Sequence, residues 1–327
     1  MSSLNSILNI IQDATIQFLG IDFDDIKLAV IDTAGQDAWK IMTYFADPKI
    51  LLLGLIPCLI LERLRPAAAH QAHRNGNLLL DFLYPVPRIL IPAAFIGLGV
   101  AFAKYLYSTY LPFLNTGLLD GKPLWLQTIG AFLVSDFMFY WSHRIRHEVR
   151  WFWFFHAIHH SQRHLNPATT HRTHPFESII SGAIRTIPIA FVGGSYPAWV
   201  LFAVLNNFWG YFIHSNTRTN LGWLGNFIVS PQYHRVHHSC LKEHFDVNYG
   251  ERLVIWDKLF GSYCPDREVY PPTGIPDAEW IEENSNNPLK IPLFYLKQMA
   301  YPFVQIGRSV KANGQLAMAR LRAPSRI

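Results

Sequence analysis

The chain has 327 residues, half of them apolar, with 16% charged and 14% aromatic residues and ten tryptophans. That is poor in charge and rich in aromatics for a water-soluble enzyme of this size, and it points to a bilayer as partner. The formal charge of +5 is spread among apolar runs, with no basic tail and no nucleic-acid fold signature, which sets nucleic acid aside.

Residues 1–47 alternate apolar and polar positions and carry Asp13, Asp22, Asp24, Asp25, Asp32 and Asp37 against Lys27 and Lys40, the pattern of amphipathic helices at a membrane surface. The opening lacks a basic region, an apolar core and a small-residue cleavage site, so no cleaved signal peptide is expected. Residues 48–123 read as a first membrane hairpin. Its short apolar run, 50–61, closes on Glu62-Arg63-Leu64-Arg65, and 89–107 supplies the ~20 apolar residues of a spanning helix. The run 124–141 is the next span. Residues 179–192 and 198–213 form two arms around Gly193-Gly194-Ser195-Tyr196-Pro197, the first short enough to be re-entrant and carrying Arg185. These fall in a unit, 124–264, that comprises a second membrane hairpin and every histidine cluster, and 265–327 follows as a cytosolic or interfacial tail with 288–305 on the membrane surface.

Arg63, Arg65, Arg74 and Arg88 lie between the first two spans and Arg144, Arg146, Arg150, Arg163 and Arg172 after the third, whereas 108–123 has only Lys122. Basic loops stay in the cytosol, which places the histidines on the inner face. The fold class expected is all-α: an integral membrane bundle of about four spanning or re-entrant helices under a cytosolic helical cap, multi-pass in a bacterial inner membrane or an endoplasmic reticulum. Cys58, Cys240 and Cys264 show no C-x-x-C spacing, so neither a disulfide framework nor a thiolate metal site is suggested.

Eight histidines crowd into residues 143–174 and four more into 234–244. HRIRH sets His143 and His147 at i and i+4, HAIHH gives His156, His159 and His160, and HRVHH gives His234, His237 and His238. On a helix these offsets return to one face, so each cluster aims two or three imidazoles at one point. His214 ends an apolar run twenty residues before the last cluster. Nine imidazoles are too many for one tetrahedral site, and two cations are the economical reading. The nitrogens suit iron, zinc, copper or nickel alike. His70, His73, His164, His171 and His244 read as surface or satisfied core residues. His147-Glu148 fails as a zinc-protease H-E-x-x-H motif, because position 151 is Trp151. Ser161 and Ser239 lack a G-x-S-x-G setting. The aromatic run 151–155 reads as interfacial anchoring or packing.

HRIRH, HAIHHSQRHLNPATTHRTHPFES and QYHRVHHS, followed by NYGERLVIWDKLFGSY, resemble the fatty-acid hydroxylase and sterol desaturase superfamily of integral-membrane di-iron enzymes. The likeness runs from about residue 136 to 263. It implies that His143, His147, His156, His159, His160, His214, His234, His237 and His238 are ligands to two iron ions, with zinc able to occupy the same nitrogens in a purified protein. Some members carry a tenth histidine four residues before the one matching His214; here that position is Gly210. The resemblance also marks Asn166, Thr170, His174, Glu177, Asn216, Asn248, Tyr249, Trp256 and Asp257 as motif members. Asp136, two helical turns before His143, either orients a ligand or serves helix capping or interfacial solvation, and His174 reads as a partner of a ligand. Asp136, Asn166, His174 and Asn248 are thus the candidate catalytic residues beside the ligands.

The activity the resemblance implies is oxygen-dependent hydroxylation of a C–H bond in a membrane lipid: a sterol, fatty acyl, sphingoid or ether lipid. With the same site, a desaturase or an ether-cleaving monooxygenase is the alternative; a membrane metal-binding or transport protein is the non-enzymatic one. No H-P-G-G or G-x-G-x-x-G motif is present, so electrons are expected from a separate donor of cytochrome b5 or ferredoxin type with its reductase.

Overall fold

The computed structural model describes residues 36, 48–69, 80–81, 83–84, 105, 109–276 and 288–322. Among them the regular structure is helical, with only isolated β-bridges such as Ile228 to Leu253. The α-helices are α1 (Pro48–Leu64), α2 (Leu124–Glu148), α3 (Arg150–His160), α4 (Pro175–Val192), α5 (Tyr196–His214), α6 (Pro231–His237), α7 (Ile255–Phe260) and α8 (Ile291–Arg322). The amphipathic reading of 1–47 and the span at 89–107 lie outside the described residues, except for residues 36 and 105.

No helix among the described residues is long and apolar enough to cross a membrane. The physical reason lies in length and composition. Helix α1 has 17 residues, about 26 Å of rise against the ~30 Å of a bilayer core. Helix α2 has 25 residues, but its second half carries Asp136, His143, Arg144, Arg146, His147 and Glu148.

One residue sets the angle on which the site depends. Val149, at φ −89° and ψ 106°, is extended between α2 and α3 while its N–H still closes the last turn on Ile145. A β-branched side chain favours that backbone. The break folds α3 back so that HAIHH faces HRIRH. Helices α4 and α5 then pack on α2 through Ala131, Phe139, Val192 and Phe202. Helix α8 closes the far side of α3, with Ala157 and Ile158 buried against Leu80, Tyr84, Ile291 and Tyr301. Each large side chain in these clusters contributes roughly 1.5–3 kcal/mol of burial. Proline opens α4 and α6 at positions where the missing N–H costs nothing, and the Ser230 side chain accepts from the Tyr233 N–H to start α6.

A buried carboxylate ties the loop after α3. Asp81 accepts from Arg172 Nη1 at 2.7 Å, Gln162 Nε2 at 2.8 Å, and Asn166 Nδ2 and Thr169 Oγ1 at 2.9 Å each. Arg172 also donates to the Ile158 carbonyl at the end of α3. A charge this deep persists only because it is paired and fully hydrogen-bonded.

Candidate metal centre

Nine histidines meet at the junction of α2, α3, α5 and α6, and they fall into two groups. His143, His147, His156, His160 and His237 form one; His159, His214, His234 and His238 form the other. Within each group the donor atoms all lie within 4.8 Å of one another. The two faces of α3 explain the division: His156 and His160, one turn apart, point to the first group, and His159 to the second.

In the five-histidine group the outer nitrogens of four rings face an oxygen acceptor. His143 Nδ1 donates to the Tyr249 carbonyl and His237 Nδ1 to the Val247 carbonyl, both at 2.8 Å. His156 Nδ1 donates to Glu177 Oε1 at 2.9 Å, and His147 Nδ1 faces Asp246 at 3.6 Å. These contacts set the Nδ1–H tautomer and leave Nε2 as the bare lone pair. The Nε2 atoms of His143, His147, His156, His160 and His237 are buried and have no protein partner. Five buried, unpartnered nitrogens aimed into one volume are costly unless a cation satisfies them. Tyr249 packs at the edge of this group, its ring centroid 5.1 Å from that of His147.

In the four-histidine group the inner nitrogens face one another directly. His214 Nε2 lies 3.1 Å from His159 Nε2 and 3.0 Å from His234 Nε2, and His238 Nε2 lies 3.1 Å from His234 Nε2. A cation at ~2.1 Å from two nitrogens at a right angle separates them by about 3.0 Å. His214 Nδ1 donates to the Gly210 carbonyl at 2.8 Å, so its Nε2 is bare. The donor set of both groups therefore fits two metal ions.

Electrostatics favours the neutral, ligating form throughout. Burial, then the neighbouring imidazoles, hold His143, His156, His159, His160, His234, His237 and His238 well below the usual imidazole range, with Arg146 adding to the effect at His143, His156, His159 and His237. His214 is lowered to about 4, chiefly by burial.

The four other candidates do not reach the metal volume. Asp136 accepts from Trp256 Nε1 at 2.9 Å and the Leu253 N–H at 3.2 Å and pairs with Arg252, so it pins the turn before α7 rather than a histidine. Asn166 caps the 3-10 turn Pro167–His171 and donates to Asp81. His174 caps α4: Nδ1 accepts from the Phe176 N–H at 3.0 Å, which leaves Nε2 to donate to the Met299 carbonyl at 3.2 Å. Both of its nitrogens are thereby occupied. Asn248, at φ 57°, accepts from the Cys264 N–H at 2.8 Å and braces the loop after α7. Sequence offsets place a residue on a helix face but do not say which neighbour covers that face. The residue that does orient a ligand is Glu177. It is 1% exposed and shared between His156 and Arg146 Nη1 at 2.9 Å each. Arg146 in turn reaches Glu251 at 3.3 Å.

At Gly210, where a tenth histidine stands in some similar sequences, any side chain requires the Thr170 hydroxyl to shift. A Cβ there comes within 2.7 Å of Thr170 Oγ1, because α5 crosses the 3-10 turn Pro167–His171 at close range. Asp81 is the contributor that sequence reasoning missed. A lone Asp in LLLDFLYP was the available signal, since a carboxylate in an apolar run needs a buried partner.

Residues 128–262 match the Fatty acid hydroxylase family. An ornithine lipid hydroxylase of Rhizobium tropici is 29% identical over 277 residues, 83% of this chain and 77% of that protein. Alkylglycerol monooxygenases of Xenopus tropicalis and Homo sapiens are 34% and 37% identical over 181 and 139 residues, 54% and 42% of this chain. These alignments take in 38% and 31% of the two monooxygenases' own length. No solved structure matches the chain significantly.

Proposed function

Because the chain belongs to the fatty acid hydroxylase superfamily, and is an oxidoreductase by that membership, we propose that it is a membrane-bound di-iron monooxygenase that hydroxylates a lipid C–H bond. The observation that carries this reading is the pair of buried, neutral, all-imidazole donor groups. Two iron ions, when bound there, supply the dioxygen and one-electron chemistry that side-chain acids and bases lack. Nine imidazoles would hold them: five at one ion and four at the other. The chain's own part is to keep those nitrogens deprotonated by burial, to fix their direction through Glu177, Tyr249 and Val247, and to exclude water. Electrons come from a separate donor protein of cytochrome b5 or ferredoxin type, and the second substrate is O2.

The membrane setting is part of the proposal. Leu53, Ile56, Ile60 and Leu64 of α1, Trp125, Ile129 and Leu133 of α2, and Leu201, Leu205 and Phe208 of α5 are exposed large apolar side chains. So are Leu293, Leu296, Phe303 and Val304 of α8. Such extended apolar surface needs lipid or protein cover, and the site lies where α2 and α5 end. In this reading α1, α2, α4 and α5 are embedded, the cap faces the cytosol and α8 lies in the interface. The unit 124–264 then carries the whole catalytic apparatus.

For the substrate class we propose an amphiphilic lipid with a polar headgroup, on the strength of the similarity to the ornithine lipid hydroxylase across most of the chain. The local likeness to alkylglycerol monooxygenases favours a second reading at the same site. Hydroxylation of the carbon beside an ether oxygen consumes O2, two electrons and two protons and releases water. The resulting hemiacetal parts into an aldehyde and an alcohol.

The test is reconstitution of the full chain with ferrous iron, an electron donor and lipid extract under 18O2. The expected result is about two irons per chain and one 18O atom in the product, as the hydroxyl of a hydroxylated lipid or as the carbonyl oxygen of a freshly released aldehyde, with the other 18O atom in water. A new double bond without label would replace hydroxylation by desaturation. Metal flux into vesicles with no lipid oxidation would overturn the oxygenase reading.

A further inference from the structure

We propose that His244, Cys264 and Asp266 form a separate cation site of zinc(II) type, which fastens the strap that orients the five-histidine group. Their Nε2 or Nδ1, Sγ and carboxylate oxygen donors lie within 4.8 Å of one another. His244 Nε2 stands 3.5 Å from Asp266 Oδ2. This cluster shares no residue with the nine-histidine centre and stands whatever metal or reaction that centre serves.

Three further observations point to a ligand. First, His244 is buried and its Nδ1 lies 2.9 Å from Ser239 Oγ, which also accepts from the Leu241 N–H at 3.1 Å. A hydroxyl oxygen has two lone pairs, so it accepts both protons in the tautomer that leaves Nε2 bare toward Asp266. Second, Cys264 is a buried free thiol whose sulfur is approached by the backbone amide of Asp266, two residues on. An amide directed at sulfur stabilises the thiolate that a metal requires. Burial raises the thiol above its usual range, so the proton stays until a cation displaces it. Third, both backbones are already pinned. The Cys264 N–H is held by Asn248 Oδ1 and the Asn248 N–H by the Ser262 carbonyl, each at 2.8 Å, and Gln232 Nε2 donates to the Asp266 carbonyl at 2.7 Å. Little ordering remains to be done on binding.

The donor mix selects the metal class. One imidazole, one thiolate and one carboxylate suit a borderline cation such as zinc(II), whereas calcium and magnesium take oxygen ligands. Asp266 is 54% exposed, which gives the cation an approach and a solvent molecule as its fourth partner. The consequence reaches the main centre through the chain. His244 begins the segment on which Asp246 faces His147, the Val247 carbonyl receives His237 and the Tyr249 carbonyl receives His143. A cation at its root joins that segment to residues 264–266 and holds three of the five imidazole directions.

Cobalt(II) titration of the purified full chain reads this site apart from the histidine centre, because only this site offers sulfur. The expected signature, in protein whose histidine centre is first filled with iron, is a near-ultraviolet sulfur-to-cobalt charge-transfer band that saturates with one equivalent. Cys264→Ser and His244→Asn abolish the band, Cys240→Ser retains it, and Asp266→Asn, a surface change that leaves folding intact, weakens cobalt binding about tenfold or more, as even outer-shell partners do. Absence of the band in the unsubstituted chain, its loss in Cys240→Ser, or unchanged affinity in Asp266→Asn overturns the assignment.

Discussion

The two histidine groups are built from the same residue type and sit side by side, yet they are supported differently. Around the five-histidine group the outer nitrogens meet carboxylates and carbonyls: Glu177, Asp246, Val247 and Tyr249, with Arg146 and Glu251 behind them. In the four-histidine group only His214 turns its outer nitrogen to a backbone carbonyl, that of Gly210, while the Nδ1 atoms of His159, His234 and His238 are buried without a protein partner, and the order comes from the inner nitrogens packed 3.0–3.1 Å apart. A ligand that donates to a carboxylate is a stronger electron donor to its metal. The first ion is therefore expected to be held by oriented, charge-tuned ligands, and the second by crowding of neutral rings.

The largest test of that contrast removes one ligand from each group. His237→Ala and His159→Ala both bring activity to background, and each weakens iron binding at its own group only, which keeps four donors in the first variant and three in the second. Loss of both irons from either variant, measured by metal analysis against protein, would show that the groups are one unit rather than two.

Removing charge behind the first group comes next. Glu177→Gln keeps the size of the side chain but takes the negative charge from His156 and Arg146, and costs roughly 10–100-fold in metal affinity or activity. The effect is confined to the ion of the five-histidine group; iron binding isotherms that weaken at both ions equally contradict the comparison. A smaller, pH-dependent effect acts on the metal-free protein. Unfolded imidazoles titrate near 6.5, whereas burial holds the clustered ones lower, His214 at about 4. Below pH 6.5 the unfolded chain takes up protons that the folded cluster refuses. Stability is greatest above pH 6.5 and falls as pH drops toward 4, a trend that chemical denaturation at several pH values reads directly. The smallest effect is expected at Asp246→Asn. Asp246 is 69% exposed and 3.6 Å from His147, and Asn tolerates its φ of 58°, so iron content stays near that of the unsubstituted chain.

Much of the centre was legible in the chain because a helix converts spacing into direction. HRIRH, HAIHH and HRVHH each place their imidazoles on one side within local geometry alone, and His214 follows from the end of an apolar run. The supporting residues were not legible in the same way. Asp136 lies on nearly the same face as His143, yet the turn before α7 reaches it first. His174, Asn166 and Asn248 carry polar side chains near the clusters and spend them on caps and loop braces. Glu177 is twenty-one residues from His156 and Asp81 is ninety-one from Arg172, so nothing in local periodicity joins them.

Local spacing alone named the nine imidazoles that the fold brings together, on four segments that are helical among the described residues. The packing of distant segments brought those rings to two shared centres, chose which carboxylate backs which ring, and set the Thr170 hydroxyl against Gly210. The faces of α3 divide the rings, whereas their convergence follows from the sharp turn at Val149 and from the path of α5 across the 3-10 turn Pro167–His171. Such crossings are fixed by packing between distant segments, whereas the face of a helix is fixed by its own 3.6-residue repeat.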